Sequence, residues 1–210
     1  IEEELSRLFP EANIARFDGD NTNSVDKHYQ SLYDGDIDII IGTQVIAKGL
    51  DLPHLRFVGV VQADSGLSLP DYQSSERVFQ LLTQVTGRVG RNEHASTVVI
   101  QSYQPNNPTI VNGIAQDYST FYTRTLAERK QAGFPPFCHL LKATCIYKTE
   151  RSAIQNSKKI AQILKQHAPA DVQILGPTPA FYERVRDTYR WQLIIKSPRR
   201  QNLIDLLSHI

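Results

Sequence analysis

Residues 37–51 read IDIIIGTQVIAKGLD, a β-branched run that passes directly into a polar loop with two glycines. The apolar part, residues 37–41, is short enough for a buried strand. Strands that are apolar on both faces and alternate with helices predict a parallel sheet with helices on both faces, which is an α/β fold. The further strands expected in this half are 13–17, 57–61 and 96–100, and the helices are 2–9, 22–33 and 71–83.

The sequence changes character at Pro105, so two domains are predicted, residues 1–104 and residues 105–210. The second is expected to be a small α+β domain of ferredoxin-like type, truncated before its last strand. The Gly-Phe-Pro-Pro run at 133–136 is either a hinge or a rigid strand entry, and the stiffness of proline favours the second. The expected elements are helix 109–130, strand 140–147, helix 150–166, strand 172–175, a turn at 176–179, strand 190–196 and helix 202–210.

The composition is that of a soluble globular protein: 40% of the 210 residues are hydrophobic, 21% are charged and the net charge is +1. Nucleic-acid binding would therefore have to come from local basic clusters. No apolar run is long enough for a bilayer and no signal peptide opens the chain, so we expect a cytoplasmic protein without membrane contacts. The sequence has no methionine, even at position 1, which suggests a piece of a longer protein.

Residues 84–91, QVTGRVGR, are the strongest chemical signal. Arg88 and Arg91, preceded by Gln84, can present two guanidinium groups to phosphate oxygens, and Gly87 lets the backbone approach closely. Such arginine fingers stabilise charge in phosphoryl transfer, so these residues are candidate catalytic groups. The alternative is a helix terminus with solvated arginines.

The loop after the strand at 37–41 is a second candidate site, because open α/β sheets bind ligands beyond the carboxyl ends of their strands. Thr43 and Gln44 could bind a nucleic-acid backbone, and Gly49 and Asp51 could reach a nucleotide. The alternative is an ordinary strand-to-helix loop.

Together these two segments resemble motifs V and VI of superfamily-two helicases. Five runs are more specifically similar to the family of primosomal replication-restart helicases. They are GTQVIAKGLDLPHLRFVGVVQAD, SERVFQLLTQVTGRVGR, ERKQAGFPPF, ILGPTPA and YRWQLIIKSPRR. The resemblance implies an ATP-dependent 3′–5′ DNA helicase, an ATP hydrolase, that acts at stalled forks and in primosome assembly. Residues 1–104 would then be the second, RecA-like lobe of the motor.

The resemblance also assigns roles to single residues. It places the family's motif VI on Gln84, Gly87, Arg88, Gly90 and Arg91, facing the triphosphate. It places motif V on Thr43, Gln44, Lys48, Gly49 and Asp51, between DNA and nucleotide.

The cofactors that the family implies are ATP, Mg²⁺ and Zn²⁺. The sequence contains neither a phosphate-binding Gly-x-x-x-x-Gly-Lys-Ser/Thr loop nor an Asp-Glu pair for Mg²⁺. Most of the ATP site is therefore expected in a first lobe, and this chain alone is expected to be inactive. The resemblance implies that the zinc ligands lie upstream of this chain. Cys138 and Cys145 lack metal-binding spacing and are interpreted as buried thiols.

In the second domain, Arg190, Trp191 and Lys196 are the candidate DNA-binding residues, because cations bind phosphates and aromatic rings stack on bases. The alternative is a solvated strand edge with a tryptophan in the core. The family implies single-stranded and forked DNA, single-strand-binding protein and other primosome proteins as partners.

Two other functions are compatible with the sequence. One is a non-catalytic, helicase-like scaffold for primosome assembly, although a scaffold has no need for Arg88 and Arg91. The other is a different superfamily-two motor, although such motors do not need the GFPPF, GPTPA and RWQL elements.

Overall fold

The computed structural model describes residues 1–17, 30–42, 52–87 and 96–209. It contains two compact units, residues 1–121 and residues 122–210. The division falls after the predicted domain boundary at 104/105, because Ile110, only 1% exposed, belongs to the same core cluster as Leu82.

The first unit alternates helices and strands, as the sequence predicts. The helix expected at 71–83 lies about one turn later, and residues 30–34 are helical, whereas the start of the helix expected at 22–33 lies outside the described residues. The elements are α1 (Glu2–Leu8), β1 (Ile14–Phe17), β2 (Ile39–Gly42), β3 (Phe57–Val60), a short 3-10 helix (Ser65–Ser68), α2 (Ser74–Thr86), β4 (Thr97–Ile100) and α3 (Pro108–Ile114).

Both strand pairs described in this unit are parallel. β1 pairs with β2, and the last pair in their register is Phe17 with Gly42. β3 pairs with β4, and the last pair is Val60 with Ile100. The predicted α/β fold with a parallel sheet is therefore confirmed, and Gly42 lies at the carboxyl edge of its strand pair.

The core of the first unit forms where α2 packs against α3. Val78 and Leu82, one helical turn apart, place their side chains on one face of α2. Gly113 of α3 lies directly over Leu82, since a Cβ atom at Gly113 would come within 2.9 Å of the Leu82 Cβ. A glycine is needed here for the close approach of the two helices.

The single helix predicted for residues 109–130 is wrong: α3 ends at Ile114, and a separate helix, α4 (Tyr118–Ala132), follows. Gln116 interrupts the helical path with a positive φ of 55°. Asp117 then starts α4, because its Oδ1 accepts a hydrogen bond from the Thr120 N–H at 3.0 Å. Hydrogen bonds from the side chain and backbone of Thr120 also lower the pKa of Asp117.

The second unit continues with β5 (His139–Tyr147), α5 (Glu150–His167), β6 (Gln173–Val185), β7 (Thr188–Ser197) and α6 (Arg200–Leu207). The three strands form an antiparallel sheet in the order β5-β7-β6. β7 lies between two strands that run in the same direction, which is the split β-α-β arrangement of the predicted ferredoxin-like type. Its core is formed by Leu164, Leu193, Ile195 and Leu206, so both helices pack on one face of the sheet.

The turn predicted at 176–179 is wrong, because these residues belong to the 13-residue strand β6. The register with β7 shifts between Leu175 and Thr178, which accommodates the prolines of the segment. Proline is tolerated here because β6 is at the edge of the described sheet and its backbone is paired on one side only. Gly176 has a φ of 95°, and a Cβ atom there would come within 2.8 Å of the Gln192 carbonyl oxygen.

Replacing Gly176 with alanine is expected to lower the free energy of unfolding by about 3 kcal/mol. The positive φ of residue 176 is unfavourable for alanine, and the new Cβ would also clash with the Gln192 carbonyl oxygen. Gly133→Ala is the matched control, since Gly133 also has a positive φ, 59°, but no atom within 4 Å of the new Cβ. The control should lose only about 1 kcal/mol. Urea denaturation measures both values, and equal losses would contradict the role of the close contact.

Candidate functional site

The carboxyl end of α2 carries two of the predicted site residues, Gln84 and Gly87. Val85 is buried, whereas the neighbouring Gln84 is exposed. The Gly87 N–H donates to the Thr83 carbonyl at 3.0 Å, which extends the last turn of the helix. Gly87 has an ordinary helical φ of −75°, so the backbone conformation does not itself require glycine. Its predicted role in close approach to a ligand stays a prediction.

The remaining predicted residues of the first unit lie outside the described residues. They are Arg88, Gly90 and Arg91 of the arginine-rich segment, and Thr43, Gln44, Lys48, Gly49 and Asp51 of the loop after β2. The structure describes the residues that precede both segments. Gly42 ends β2 at the carboxyl edge of a parallel pair, and Gly87 follows α2.

A further residue, Gln116, holds the carboxyl end of α2. Its Nε2 donates to the Thr86 Oγ1 at 3.2 Å, and this hydroxyl donates to the Leu82 carbonyl at 2.9 Å. The ring of Phe79, also on α2, stacks on Phe121 with centroids 4.1 Å apart. Sequence reasoning missed Gln116 because no pattern distinguishes it from a solvent-exposed glutamine within a long helix. The end of α2 is thus held by contacts from the α3–α4 segment.

The three candidate DNA-binding residues of the second unit do not share one face of the sheet. Successive residues of a strand point to opposite faces. Trp191 lies on the same face as the core residues Leu193 and Ile195, whereas Arg190 and Lys196 lie on the face away from the helices. That second face is called the open face.

Lys196 already has partners within its own unit. Its Nζ donates to the Ala132 carbonyl at 3.0 Å and lies 3.9 Å from the centre of the Phe134 ring. Ala132 is the last residue of α4, so the ammonium neutralises the negative end of that helix. Lys196 thus contacts both the end of α4 and the Gly-Phe-Pro-Pro segment, and the rigid interpretation of that segment stays a prediction.

Trp191 and Arg190 each contain a buried nitrogen without a hydrogen-bond partner, Nε1 of Trp191 and Nε of Arg190. Trp191 is paired with the buried Cys145, which favours the interpretation as a core residue. Arg190 is paired with Ile146, which is 51% exposed, and is itself half-buried.

A neighbouring basic residue, Arg199, has a structural role. Its Nη2 donates to Asp171 at 3.1 Å, and the same carboxylate accepts a bond from Asn202 at 3.2 Å. These bonds fix the start of α6. Arg199 of the basic carboxyl-terminal segment thus already has a carboxylate partner within its own unit.

Both cysteines have local structural environments. The Cys138 thiol donates to the Gly133 carbonyl at 3.0 Å, and burial raises its pKa against the opposing effect of the Lys196 ammonium. Burial also raises the pKa of Cys145. Among the described residues, no group of three or more His, Cys, Asp or Glu side chains could hold a metal ion. In the same part of the chain, no helix has the length and apolar character needed to cross a membrane.

Two family models match the chain in order. The helicase conserved C-terminal domain matches residues 1–93, and the primosomal protein N C-terminal domain matches residues 130–210. Replication restart protein PriA of Bacillus subtilis is 41% identical over 213 residues, which cover all of this chain and 26% of the relative. The Synechocystis PriA is 41% identical over 202 residues, 94% of this chain and 24% of the relative.

The chain belongs to the PriA family. It spans about a quarter of the length of the curated relatives it matches. The family resemblance expected from the sequence is therefore confirmed. Both predicted helicase segments, residues 42–51 and 84–91, lie within the match to the helicase domain. The open face and Lys196 lie within the match to the PriA carboxyl-terminal domain.

Replacing Lys196 with alanine is expected to lower the free energy of unfolding by about 1–2 kcal/mol, through loss of the helix-end charge and the contact with Phe134. Urea denaturation measures the effect. Lys142→Ala is the matched control, an exposed lysine on the open face without these contacts, and should change stability by less than about 0.5 kcal/mol. Full stability of Lys196→Ala would contradict the structural role.

Proposed function

We propose that this chain forms part of an ATP-dependent 3′–5′ DNA helicase that restarts replication at stalled forks and takes part in primosome assembly. The main support is the ordered match to a helicase domain and a PriA carboxyl-terminal domain in one chain. The parallel α/β arrangement of the first unit agrees with a RecA-like lobe, which would act with a first lobe in a full-length PriA.

Within this proposal, Arg88 and Arg91 act as arginine fingers on the triphosphate of ATP, with Gln84 beside them and Gly87 at the start of the segment. ATP would supply the phosphoryl group, and Mg²⁺ would neutralise its charge, at a site built mostly by the first lobe. The described residues suit such a site, because Gln84 is exposed and Gly87 adds no side chain at the helix end. The buried side chain of Leu82 anchors α2, and this supports precise placement of the arginine segment that follows the helix in the sequence. Zn²⁺ would be bound by residues outside this sequence.

The loop after β2 would connect nucleotide and DNA. We assign Gly49 and Asp51 to the nucleotide side, and Thr43, Gln44 and Lys48 to the DNA backbone. Support comes from Gly42, which ends its strand at the carboxyl edge of a parallel pair, where α/β sheets bind ligands.

The second unit would contact single-stranded or forked DNA and other restart proteins, single-strand-binding protein among them. Of the three candidate residues, Arg190 is the best placed, because it lies on the open face. The Lys196 ammonium is already bonded to Ala132, and Trp191 lies on the face that carries the core. A contribution of these two residues to DNA affinity would require a local rearrangement or an indirect effect.

The DNA-binding part of the proposal is tested by fluorescence anisotropy of the chain with single-stranded and forked DNA across a salt series. Affinity should fall steeply with salt, and Arg190→Ala should weaken binding and reduce the slope of log K against log salt by about 1. Arg151→Ala, an exposed arginine on α5, is the control and should leave both values unchanged. No binding at low salt, or binding unaffected by Arg190→Ala, would contradict this assignment.

A further inference from the structure

A cleft of about 410 Å³ lies between α5 and β6 in the second unit. It is separate from the open face, because α5 packs on the other side of the sheet. The residues that line it come from one helix and one strand, and the proposed function assigns no role to any of them. They are Lys158, Ala161, Gln162, Lys165, Gln166 and Pro177.

A bulge in β6 forms the wall of the cleft on the side of the sheet. The register of β6 with β7 shifts between Leu175 and Thr178. Gly176 and Pro177 therefore both lie opposite Leu193, whose side chain belongs to the face that carries α5. A strand with an extra residue bends locally. The apolar ring of Pro177 thus borders the cleft.

The other wall of the cleft is a single stripe along α5. The five lining residues of this helix follow the i, i+3, i+4, i+7, i+8 pattern, so they share one face. Ala161, only 4% exposed, provides an apolar floor. Lys158 and Lys165 are exposed and lie two helical turns apart, about 10 Å along the axis. The cleft therefore has an apolar centre with a cation towards each end.

The positive charge of the cleft is not neutralised within the described part of the chain. Neither the Lys158 nor the Lys165 ammonium forms an ion pair or a hydrogen bond with the described residues, and none of the lining residues carries a carboxylate. Glu150, in the first turn, is the only acidic residue of α5. Two separated cations beside an apolar floor complement a ligand that has a carboxylate on either side of an apolar group.

We propose that this cleft binds an extended acidic peptide segment of a partner protein. An apolar side chain of the peptide contacts Ala161 and Pro177, and one carboxylate binds each lysine. Alternate residues of an extended peptide point to the same side, so the pattern acidic-x-apolar-x-acidic presents all three groups together. Its two carboxylates are about 13 Å apart, and the flexible side chains of Lys158 and Lys165 cover the difference from their spacing along α5.

A peptide suits the cleft better than a nucleic acid. Nucleic acids are bound by basic groups that follow the backbone, and single strands also by aromatic rings on which the bases stack. The cleft has two cations that are two helical turns apart and no aromatic ring in its lining. The inference rests on that part of the proposed function which gives the second unit protein partners, and it adds the surface and the chemistry of the partner.

The test measures the fluorescence anisotropy of a fluorescein-labelled peptide containing Glu-Ser-Leu-Ser-Glu, titrated with the intact chain at low salt. Lys158→Glu and Lys165→Glu should each raise the Kd about fivefold to tenfold, because an attraction becomes a repulsion. Lys159→Glu is the matched control, since it makes the same charge change at an exposed lysine of α5 that does not line the cleft. Its Kd should stay within about twofold of the unsubstituted value.

Two further peptides test the chemistry of the ligand. Gln-Ser-Leu-Ser-Gln lacks the carboxylates and Glu-Ser-Gly-Ser-Glu lacks the apolar side chain, so each should bind more weakly than the first peptide. Carbodiimide cross-linking joins peptide carboxylates to lysine amines, and mass spectrometry should find the first peptide mainly on Lys158 and Lys165 rather than on Lys159. Circular dichroism melting of each variant confirms that the fold is retained.

The outcomes separate this inference from the proposed DNA contact. Equal losses for the three lysine variants, or no peptide binding by the unsubstituted chain, would overturn the inference. If the peptide does not bind but oligodeoxythymidylate binding depends on Arg190, the inference fails and the proposed DNA contact stands. If Lys158→Glu and Lys165→Glu weaken DNA binding and leave peptide binding unchanged, the cleft serves nucleic acid and the inference is overturned.

Discussion

The close contact between α2 and α3 determines the arrangement of the first unit. Leu82 has no exposed surface, and only a glycine at position 113 lets the next helix lie directly over it. Interiors are packed densely, so this contact fixes the direction of α2 and the position of its carboxyl end. Gln116 and Phe121 follow from α3 and add a hydrogen bond and an aromatic stack to the same helix. The segment that begins at Gly87 therefore starts from a rigid support.

The two faces of the sheet in the second unit have different environments. The side that carries Leu193 and Ile195 is closed by α5 and α6 and supplies the apolar core. The opposite side carries the cations Lys142, Arg190 and Lys196, of which Lys142 is exposed and the other two are half-buried. Because side chains alternate along a strand, adjacent residues of β7 serve different purposes: Trp191 packs, whereas Arg190 faces outward.

The sequence predicts elements well where hydrophobic periodicity is strong. The β-branched run at 37–41 gave a strand, and the alternation of strands and helices gave the α/β fold. Prediction from the sequence fails where a contact between residues far apart in the chain determines the local structure. No local sequence pattern distinguishes Gln116, whose positive φ interrupts the single helix predicted for residues 109–130. The prolines of β6 predict a turn when only the sequence is considered. They are tolerated within a strand because β6 lies at the edge of the described sheet, which the local sequence does not indicate. Lys196 reads as a DNA-binding cation, yet its partners Ala132 and Phe134 are more than 60 residues away along the chain.

ATP hydrolysis by a full-length PriA that carries this sequence as its C-terminal part tests the central claim most directly. With single-stranded DNA present, Arg88→Ala and Arg91→Ala should each lower kcat by about a thousandfold or more and leave DNA affinity unchanged. Arg77→Ala, which removes an ion pair with Asp71 and a hydrogen bond to Gln73 near the start of α2, should retain turnover, and the isolated 210-residue chain should show none. Turnover by the isolated chain, or kcat values for the Arg88 and Arg91 variants close to that of the unsubstituted enzyme, would contradict the assignment of the arginine fingers.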